Sequence, residues 1–411
     1  TVEDIILDDA LVNEAQADTT VQVIFDKTPF YAEMGGQVAD KGLVKDEDGN
    51  VVAEVMDVQH APNGQNMHTL KLRQKLAKGM TYRLEVNREF HNKVKKNHTA
   101  THLLDQALRD VLGEHTHQAG SLVEPTYLRF DFTNLGAVTA EQLQQVEDIV
   151  NAKIWANLPV ETVVTDLESA QKMGAIALFG DKYGDTVRVV KAGDYSMEFC
   201  GGNHVDNTNE LGLFKIVSES GVGAGVRRIE AVTSKEAFEF LEQRNNLLQE
   251  TAAEMKVVQL KEVPRKVEAL QAQIKELEQQ KQALEAKFAS QQAQDIFKDV
   301  AKVNDHTLIA AKVNVSGMDQ LRQLADQWKE KDLSEVLVLA TAPAKDKVNL
   351  IVGVSDAGIK AGIKAGDLIK DIAPLVGGGG GGRPNLAQAG GKNPAGIGEA
   401  LSKAKTWLAD K

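Results

Sequence analysis

Cysteine is nearly absent from this sequence, and long apolar runs are missing altogether. Its 411 residues include one cysteine, Cys200, so no disulfide can form within the chain. No stretch approaches the roughly 20 apolar residues that a helix needs to span a bilayer. The first residues, TVEDIILDDA, are acidic where a secretory signal would be basic. We therefore expect a cytoplasmic protein that has no membrane partner.

Positive charge is the minority charge. The chain has 47 Lys and Arg against 59 Asp and Glu, which gives a net charge of -12. This balance argues weakly against a nucleic-acid partner, because an acidic protein repels phosphate at long range, but local basic patches override the sum. The composition, 42% hydrophobic and 26% charged, is typical of globular protein, and the length exceeds one compact core. We expect several domains.

Residue patterning predicts a multidomain α+β protein whose first half holds two domains. Short β-rich runs separated by turn signals fill residues 1–87 and predict a small β-barrel or sandwich. A helical period follows from Arg88 to Leu112, with Gly113 placed as a helix C-cap. Strand and helix patterns then alternate as far as residue 234. Residues 88–234 therefore read as an α+β domain.

The second half predicts a long helical segment and a small α/β domain. Residues 235–295 carry an amphipathic period, and Pro264 favours a hairpin of two helices over one rod. Residues 296–411 alternate strands with helices and include a glycine-rich run, 377–391. This run is either a flexible linker or a row of amides that holds a phosphate beside Arg383. It lacks the GK[ST] ending of a nucleotide-binding P-loop.

Three histidines and the single cysteine form the strongest candidate site. His98 and His102 are four residues apart, so both imidazoles project from one face of the predicted helix. About one hundred residues later, a glycine pair separates Cys200 from Asn203 and His204 and allows a turn that brings thiolate and imidazole together. Three nitrogens and one sulfur are a tetrahedral set suited to one Zn²⁺ per chain. Either motif alone would be weak, because such pairs usually serve packing.

The role of this zinc stays open at the level of sequence. Four protein ligands normally make a closed, structural site, whereas a catalytic zinc keeps a position for water or substrate. If one ligand is labile, the metal polarises an ester carbonyl or lowers the pKa of water. If none is, neighbouring polar groups orient the water.

Six ordered blocks of this sequence closely resemble the alanyl-tRNA synthetases. They are DKTPFYAEMGGQVADKG (26–42), NHTATHLL (97–104), HQAGSLVEP (117–125), LRFDF (128–132), FCGGNHVDNTNELGLFKI (199–216) and SESGVGAGVRRIEAV (218–232). The resemblance implies a β-barrel, an editing domain with zinc ligands at His98, His102, Cys200 and His204, and a C-terminal domain that binds tRNA(Ala). The implied reaction is hydrolysis of seryl- or glycyl-tRNA(Ala), because a synthetic site discriminates poorly among small amino acids.

The resemblance also implies roles for other residues. By motif position, Thr101 is similar to a hydroxyl residue that helps to sort serine from alanine, and Gln118 to a polar pocket residue. Arg227 and Arg228 are expected to contact tRNA phosphates. They are adjacent on a strand, so we expect only one to face the tRNA. The alternative for both arginines is a place on the strand surface.

Two positions depart from the family pattern. Asn203 stands where the family usually has threonine, and Met34 stands where a small residue is commoner; neither change removes a zinc ligand. We recognise no segment as the class II aminoacylation domain, which would use ATP, and the chain begins without methionine. We therefore expect it to be part of a longer synthetase. A homodimer through the helical region or the C-terminal domain is also expected.

Two other functions remain as alternatives. One is a module that binds tRNA and dimerises around a purely structural zinc, which predicts affinity without turnover. The other is a free-standing deacylase of the same superfamily.

Overall fold

The computed structural model describes residues 1–177 and 184–411, with the side chains at 289, 290, 292 and 293 excluded. The chain divides into two compact units, Thr1–Glu254 and Met255–Lys411, and each combines helices with sheets. The predicted multidomain α+β class is confirmed. Among the described residues, a helix of the length and apolar character required to cross a membrane is not found.

The first unit begins with a seven-stranded antiparallel sheet. Its strands, with a small β3–β8 ladder beside them, are β1 (Val2–Leu7), β2 (Ala10–Val12), β3 (Glu14–Ala15), β4 (Thr20–Phe25), β5 (Gly42–Lys45), β6 (Val51–His60), β7 (Asn66–Leu72), β8 (Leu76–Ala77) and β9 (Arg83–Val86). The strand order is β2-β1-β4-β7-β6-β5-β9. Alternate side chains, such as Ile5, Val23 and Leu70, are fully buried on one face.

The remainder of the first unit combines helices with two smaller sheets. These elements are α1 (Arg88–Leu112), β10 (Gln118–Val123), β11 (Leu128–Thr133), α2 (Ala140–Trp155), β12 (Val160–Asp166), α3 (Leu167–Lys172), β13 (Thr186–Ala192), β14 (Ser196–Phe199), β15 (Phe214–Gly223), β16 (Val226–Thr233) and α4 (Ser234–Glu254). One sheet has the order β10-β11-β16-β15, and the other has the order β12-β13-β14. Helix α1 packs against α2 and against strands of both sheets.

Helix α1 spans the range that the sequence pattern predicts, and its ends have local causes. The side-chain oxygen of Asn87 accepts a hydrogen bond from the amide of Phe90, which caps the first turn. Gly113, with φ 112°, ends the helix in a conformation that side chains disfavour. Leu103 and Leu104 are fully buried, and each such burial contributes about 1.5–3 kcal/mol. These contacts fix the helix that carries two of the candidate metal ligands.

The second unit contains a six-stranded sheet with helices on both faces. Its elements are α5 (Val263–Ile296), β17 (Ala301–Val303), β18 (His306–Lys312), α6 (Met318–Lys331), β19 (Val336–Ala344), β20 (Lys347–Val354), α7 (Asp356–Lys360), α8 (Ala365–Ile372), β21 (Gly379–Gly382), β22 (Leu386–Gly391) and α9 (Ile397–Ala409). The order is β17-β18-β19-β20-β22-β21, and only the β18–β19 pair among these neighbours is parallel. Residues 336–340 of strand β19 are all apolar and fully buried, because both faces of this part of the strand are covered.

The helical segment 235–295 is present as two helices rather than one. The break between α4 and α5 lies at residues 255–262, ahead of Pro264. Pro264 occupies the first turn of α5, where the missing amide removes no intrahelical hydrogen bond. The interruption that the sequence predicts is therefore real, although the proline lies in the first turn of the second helix rather than in the break.

The glycine-rich run is part of the sheet of the second unit. Gly379–Gly382 form β21, which lies at the edge of the sheet and pairs antiparallel with β22. Gly378 and Gly380 approach the neighbouring strand so closely that added Cβ atoms would lie 1.7 and 2.2 Å from its carbonyl oxygens. Glycine at these positions permits the close approach of the two backbones. The run is therefore part of a sheet, and the linker interpretation is wrong.

Candidate metal centre

Four side chains converge on one point in the first unit. His98 and His102 lie one turn apart on α1, while Cys200 follows β14 and His204 follows the glycine pair. One ligand atom from each residue can be chosen so that all four atoms lie within 4.8 Å of one another. The three histidines are buried, and Cys200 is partly exposed. The two sequence motifs therefore form one cluster.

The spacing of the ligand atoms of Cys200, His98 and His204 suits a tetrahedral metal. Sγ of Cys200 lies 3.4 Å from Nε2 of His98 and 3.3 Å from Nε2 of His204. Ideal Zn–N and Zn–S bonds place neighbouring tetrahedral ligands about 3.3–3.6 Å apart. The His98 and His204 rings are 4.5 Å apart between centroids. A zinc ion thus fits the donors and their chemistry.

Nδ1 of each imidazole lies near a polar group, although Nδ1 of His102 makes no hydrogen bond with the described residues. Gln37 Oε1 lies 2.7 Å from Nδ1 of His98, and Thr99 Oγ1 lies 3.0 Å from Nδ1 of His204. A carboxyl oxygen of Glu198 lies 3.2 Å from Nδ1 of His102. Groups of this kind orient histidine ligands and fix their tautomers.

Arg188 holds the loop that supplies the cysteine. Its Nη1 donates hydrogen bonds of 2.7 Å to the carbonyl oxygens of both Cys200 and Gly202. Nη2 donates to Thr162 Oγ1 over 3.2 Å. A planar guanidinium suits this task because its donors stand in a fixed geometry. The arginine therefore fixes the backbone on either side of the glycine pair.

Burial sets the protonation of these groups. It is the main cause that lowers the pKa of His98 to about 4, with the positive charge of Arg188 second. Burial also holds the pKa of His204 well below its ordinary value. Both imidazoles are therefore neutral near pH 7, which a metal ligand requires. Burial, followed by the charge of Asp105, raises the pKa of Glu198 well above its ordinary value.

Three residues of the cluster, His98, His102 and Cys200, line a cavity of about 550 Å³. Polar lining residues include both Thr101 and Gln118, together with Tyr31, Ser121 and Arg188. The hydroxyl of Thr101 donates to the carbonyl oxygen of Asn97 over 2.9 Å, so its lone pairs remain as acceptors. The cavity volume is in the range of small-ligand sites.

The three arginines predicted to contact phosphate differ in their ion-pair partners. Arg227 donates bonds of 2.5 and 2.7 Å to Glu219, and Arg228 donates bonds of 2.7 and 2.8 Å to Asp131. Both pairs are bidentate, and they join neighbouring strands of the β10-β11-β16-β15 sheet. Arg383, in the second unit, is exposed beside β21 and has no ion-pair partner among the described residues.

Three family models match the chain, and they cover separate parts of it. A model described as tRNA synthetases class II (A) matches residues 1–90. The Threonyl and Alanyl tRNA synthetase second additional domain matches residues 187–230, which include Cys200 and His204. The DHHA1 domain matches residues 305–410.

Known relatives agree with these matches. The alanine-tRNA ligase of Ligilactobacillus salivarius is 75% identical over 99% of this chain, and that of Latilactobacillus sakei is 63% identical over 99%. The chain belongs to the alanyl-tRNA synthetase family. It corresponds to the C-terminal region of these enzymes and spans 46% of the length of either relative. Among solved structures, the C-Ala domain of the Aquifex aeolicus synthetase is 33% identical, with a TM-score of 0.25; the match covers 27% of this chain and 98% of that domain.

Sequence reasoning missed several residues around the cluster, among them Gln37, Arg188 and Glu198, as well as Thr99, which neighbours the predicted ligand His98. Gln37 lies within the block 26–42 that carries the family resemblance, but that block offers no link to histidines sixty residues away. Glu198 stands two residues before the cysteine, which is a local signal that could have found it. For Arg188, a lone arginine in a strand pattern gives no such signal.

Proposed function

We propose that the first unit acts on tRNA(Ala) that has been charged with the wrong amino acid, serine or glycine. It hydrolyses the ester bond between that amino acid and the tRNA. The observation that supports this proposal is the convergence of four possible metal ligands, three of which, His98, His102 and Cys200, line a cavity that Thr101 and Gln118 also line. A family that must separate small amino acids needs such a second site, because one methylene or hydroxyl gives a binding pocket little discrimination.

The chain's own residues supply recognition and orientation in this proposal. Thr101 presents acceptor lone pairs toward the cavity and thus accepts a hydrogen bond from the substrate, while Gln118 offers an amide to the ester or to water. His98, His102, Cys200 and His204 would hold one zinc ion. When bound, the ion supplies charge that polarises a carbonyl or lowers the pKa of water.

The remaining parts of the proposal concern tRNA and the whole enzyme. Arg383 and one of the adjacent pair Arg227 and Arg228 contact tRNA phosphates, although that member of the pair must first exchange its carboxylate partner. The parent enzyme attaches alanine to tRNA(Ala) with ATP, in the cytoplasm. Exposed Leu277 and Leu284 on α5 give a homodimer an apolar face to bury.

A second candidate is a module that binds tRNA around a purely structural zinc. Four protein ligands favour it, because catalytic zinc usually has three and keeps an open position. This candidate predicts tight tRNA binding without turnover. A free-standing deacylase remains the third candidate.

The deciding experiment compares hydrolysis of seryl-tRNA(Ala) and alanyl-tRNA(Ala) by this chain, with its zinc content measured in parallel. We expect selective hydrolysis of the seryl ester, and a loss of more than about 100-fold in both Cys200→Ala and His102→Gln. His115→Gln is the matched control, because His115 is an exposed loop histidine outside the cluster. Zinc-loaded wild-type chain that binds tRNA without hydrolysis would favour the binding module instead.

A further inference from the structure

A glutamine from the N-terminal sheet region reaches into the candidate metal centre. Gln37 is fully buried, and its Oε1 accepts a hydrogen bond of 2.8 Å from the backbone amide of Asn203. The same oxygen lies 2.7 Å from Nδ1 of His98. One atom therefore contacts both segments that supply metal ligands, the helix α1 and the loop that begins at Cys200.

The amide of Asn203 fixes the orientation of this glutamine. A backbone N–H only donates, so the atom that faces it must be the oxygen of Gln37 rather than the nitrogen. That oxygen in turn only accepts, so Nδ1 of His98 must carry the proton. The lone pair of His98 is then on Nε2, the nitrogen that lies 3.4 Å from Sγ of Cys200. The hydrogen-bond chain sets the tautomer that metal binding needs.

Local backbone geometry explains how Gln37 arrives there. Gly35 and Gly36 have φ values of 61° and 83°, and Met34 and Gln37 exchange two backbone hydrogen bonds across them. This is a tight two-residue turn of the type that needs left-handed conformations at both central positions. A Cβ on Gly36 would lie 2.5 Å from the carbonyl oxygen of Ser121. Both glycines are therefore needed to bring the turn against β10.

The backbone on either side of Gln37 is tied to β10 as well. The amide of Val38 donates to the carbonyl oxygen of Val123 over 3.2 Å, and the amide of Val123 donates to Gly36 over 2.7 Å. Gln37 is thus held by a short parallel bridge rather than by its side chain alone. A group fixed on both sides in this way is preorganised for its contacts.

The geometry points to Gln37 as a positioning residue that completes the metal centre by locking His98 as the Nδ1–H tautomer and by anchoring the loop at Asn203. This role rests on the proposed zinc site. Residues that orient ligands in this manner change metal affinity by about 10- to 100-fold. Gln37 does so from a segment that carries no metal ligand, which couples the N-terminal sheet region to the site.

Zinc affinity tests this role without any measurement of hydrolysis. Apparent dissociation constants are measured by chelator competition for the wild-type chain, Gln37→Met, which keeps the length but removes the acceptor, and Gln37→Glu, which keeps an acceptor oxygen. We expect Gln37→Met to bind zinc about 10- to 100-fold more weakly and Gln37→Glu to stay within about threefold of wild type. Gln65→Met is the matched control, since Gln65 contacts Asn63 and Glu3 instead.

Each outcome separates this role from the proposed site. Wild-type chain that fails to bind zinc overturns the metal centre itself, and this role with it. Normal zinc binding by the wild type together with equal affinity in Gln37→Met overturns the role of Gln37 alone. Equal weakening in Gln37→Glu also overturns it, because that variant keeps the acceptor oxygen and the length of the side chain, so the acceptor would not account for the zinc affinity.

A spectroscopic measurement on the wild-type chain covers the case in which a variant does not fold. In the zinc-loaded protein, the ¹⁵N shifts of the His98 ring should show a protonated Nδ1 and a metal-bound Nε2. A proton on Nε2 with metal on Nδ1 would contradict the proposed hydrogen-bond chain.

Discussion

Gly202 lies directly against the imidazole of His98. A Cβ at this position would be 2.0 Å from Cε1 of the ring and 2.8 Å from Oε1 of Gln37, both too close for real atoms. The ring is buried and hydrogen-bonded, so it has little room to move aside. Gly202 is therefore required by the metal ligand beside it rather than by its own backbone conformation.

The first prediction follows from this contact. Gly202→Ala should weaken zinc binding by at least about 10-fold, because the added methyl displaces His98 from its position. Chelator competition measures the effect.

Gly201→Ala is the control for this prediction. Its Cβ would meet only Cε of Met34, at 2.8 Å, which is the far end of a flexible side chain. We expect near wild-type affinity. Equal affinities in the two variants would contradict a specific requirement for glycine at position 202.

The features that are predicted correctly from the sequence are those that have a local signal. The bounds of α1 follow from a clear helical period between Asn87 and Gly113, and the pairing of His98 with His102 follows from the same period. The approach of Cys200 to these histidines depends on tertiary structure, which no local pattern reveals. We expect this approach because Cys200 is the single cysteine and because the sequence resembles a known family. The geometry of the approach depends on Arg188, which no local pattern reveals either.

The features that could not be predicted from the sequence depend on contacts between residues that are distant along the chain. Gln37 and His98 are 61 residues apart, and their contact depends on a turn that bridges to β10. The run of glycines was ambiguous for a different reason: without side chains, a strand at a sheet edge carries no alternation of apolar and polar residues. Only the pairing partner, β22, distinguishes it from a linker.

The hydroxyl of Thr101 should decide selectivity. Thr101→Val keeps the side-chain shape but removes the hydroxyl of this cavity-lining residue, whereas Thr101→Ser keeps the hydroxyl. We expect the preference for seryl- over alanyl-tRNA(Ala) to fall by about 10-fold in the valine variant and to persist in the serine variant. Parallel deacylation rates measure this ratio. An unchanged ratio in Thr101→Val would exclude the hydroxyl from substrate discrimination.

Arg383 should contribute to tRNA affinity through charge. Its guanidinium is exposed, so Arg383→Gln should weaken binding and reduce the slope of log affinity against log salt by about one. Arg227→Gln should change the slope less, because Glu219 already neutralises that arginine. Binding titrations across a series of salt concentrations measure both slopes. Equal slopes in Arg383→Gln and the wild type would remove Arg383 from the tRNA contacts.

His68 makes the N-terminal sheet sensitive to acid. Its Nδ1 donates to the carbonyl oxygen of Val23, its Nε2 accepts from the hydroxyl of Thr28, and burial lowers its pKa. Below about pH 6.5 the unfolded chain takes up a proton that the folded sheet does not, so stability falls as pH falls. Amide exchange in β4 and β7 across this range measures the loss.

Two histidine variants isolate this effect. His68→Gln should flatten the pH dependence of amide exchange, whatever it does to stability at neutral pH. His60→Gln should leave that dependence intact, because His60 is exposed at the end of β6. A ring titration by NMR that gives His68 an ordinary pKa would refute the explanation.

Alternate glycines of β21 should respond differently to the same substitution. A Cβ at Gly380 would lie 2.2 Å from the carbonyl oxygen of Gln388 and 2.4 Å from Cβ of Ala389, whereas one at Gly381 meets nothing within 4 Å. Gly380→Ala should therefore cost about 1–3 kcal/mol in the free energy that protects the β22 amides from exchange. Gly381→Ala should be neutral or stabilising, because alanine restricts the unfolded chain. Equal protection in both variants would show that β21 does not pair with β22 in solution.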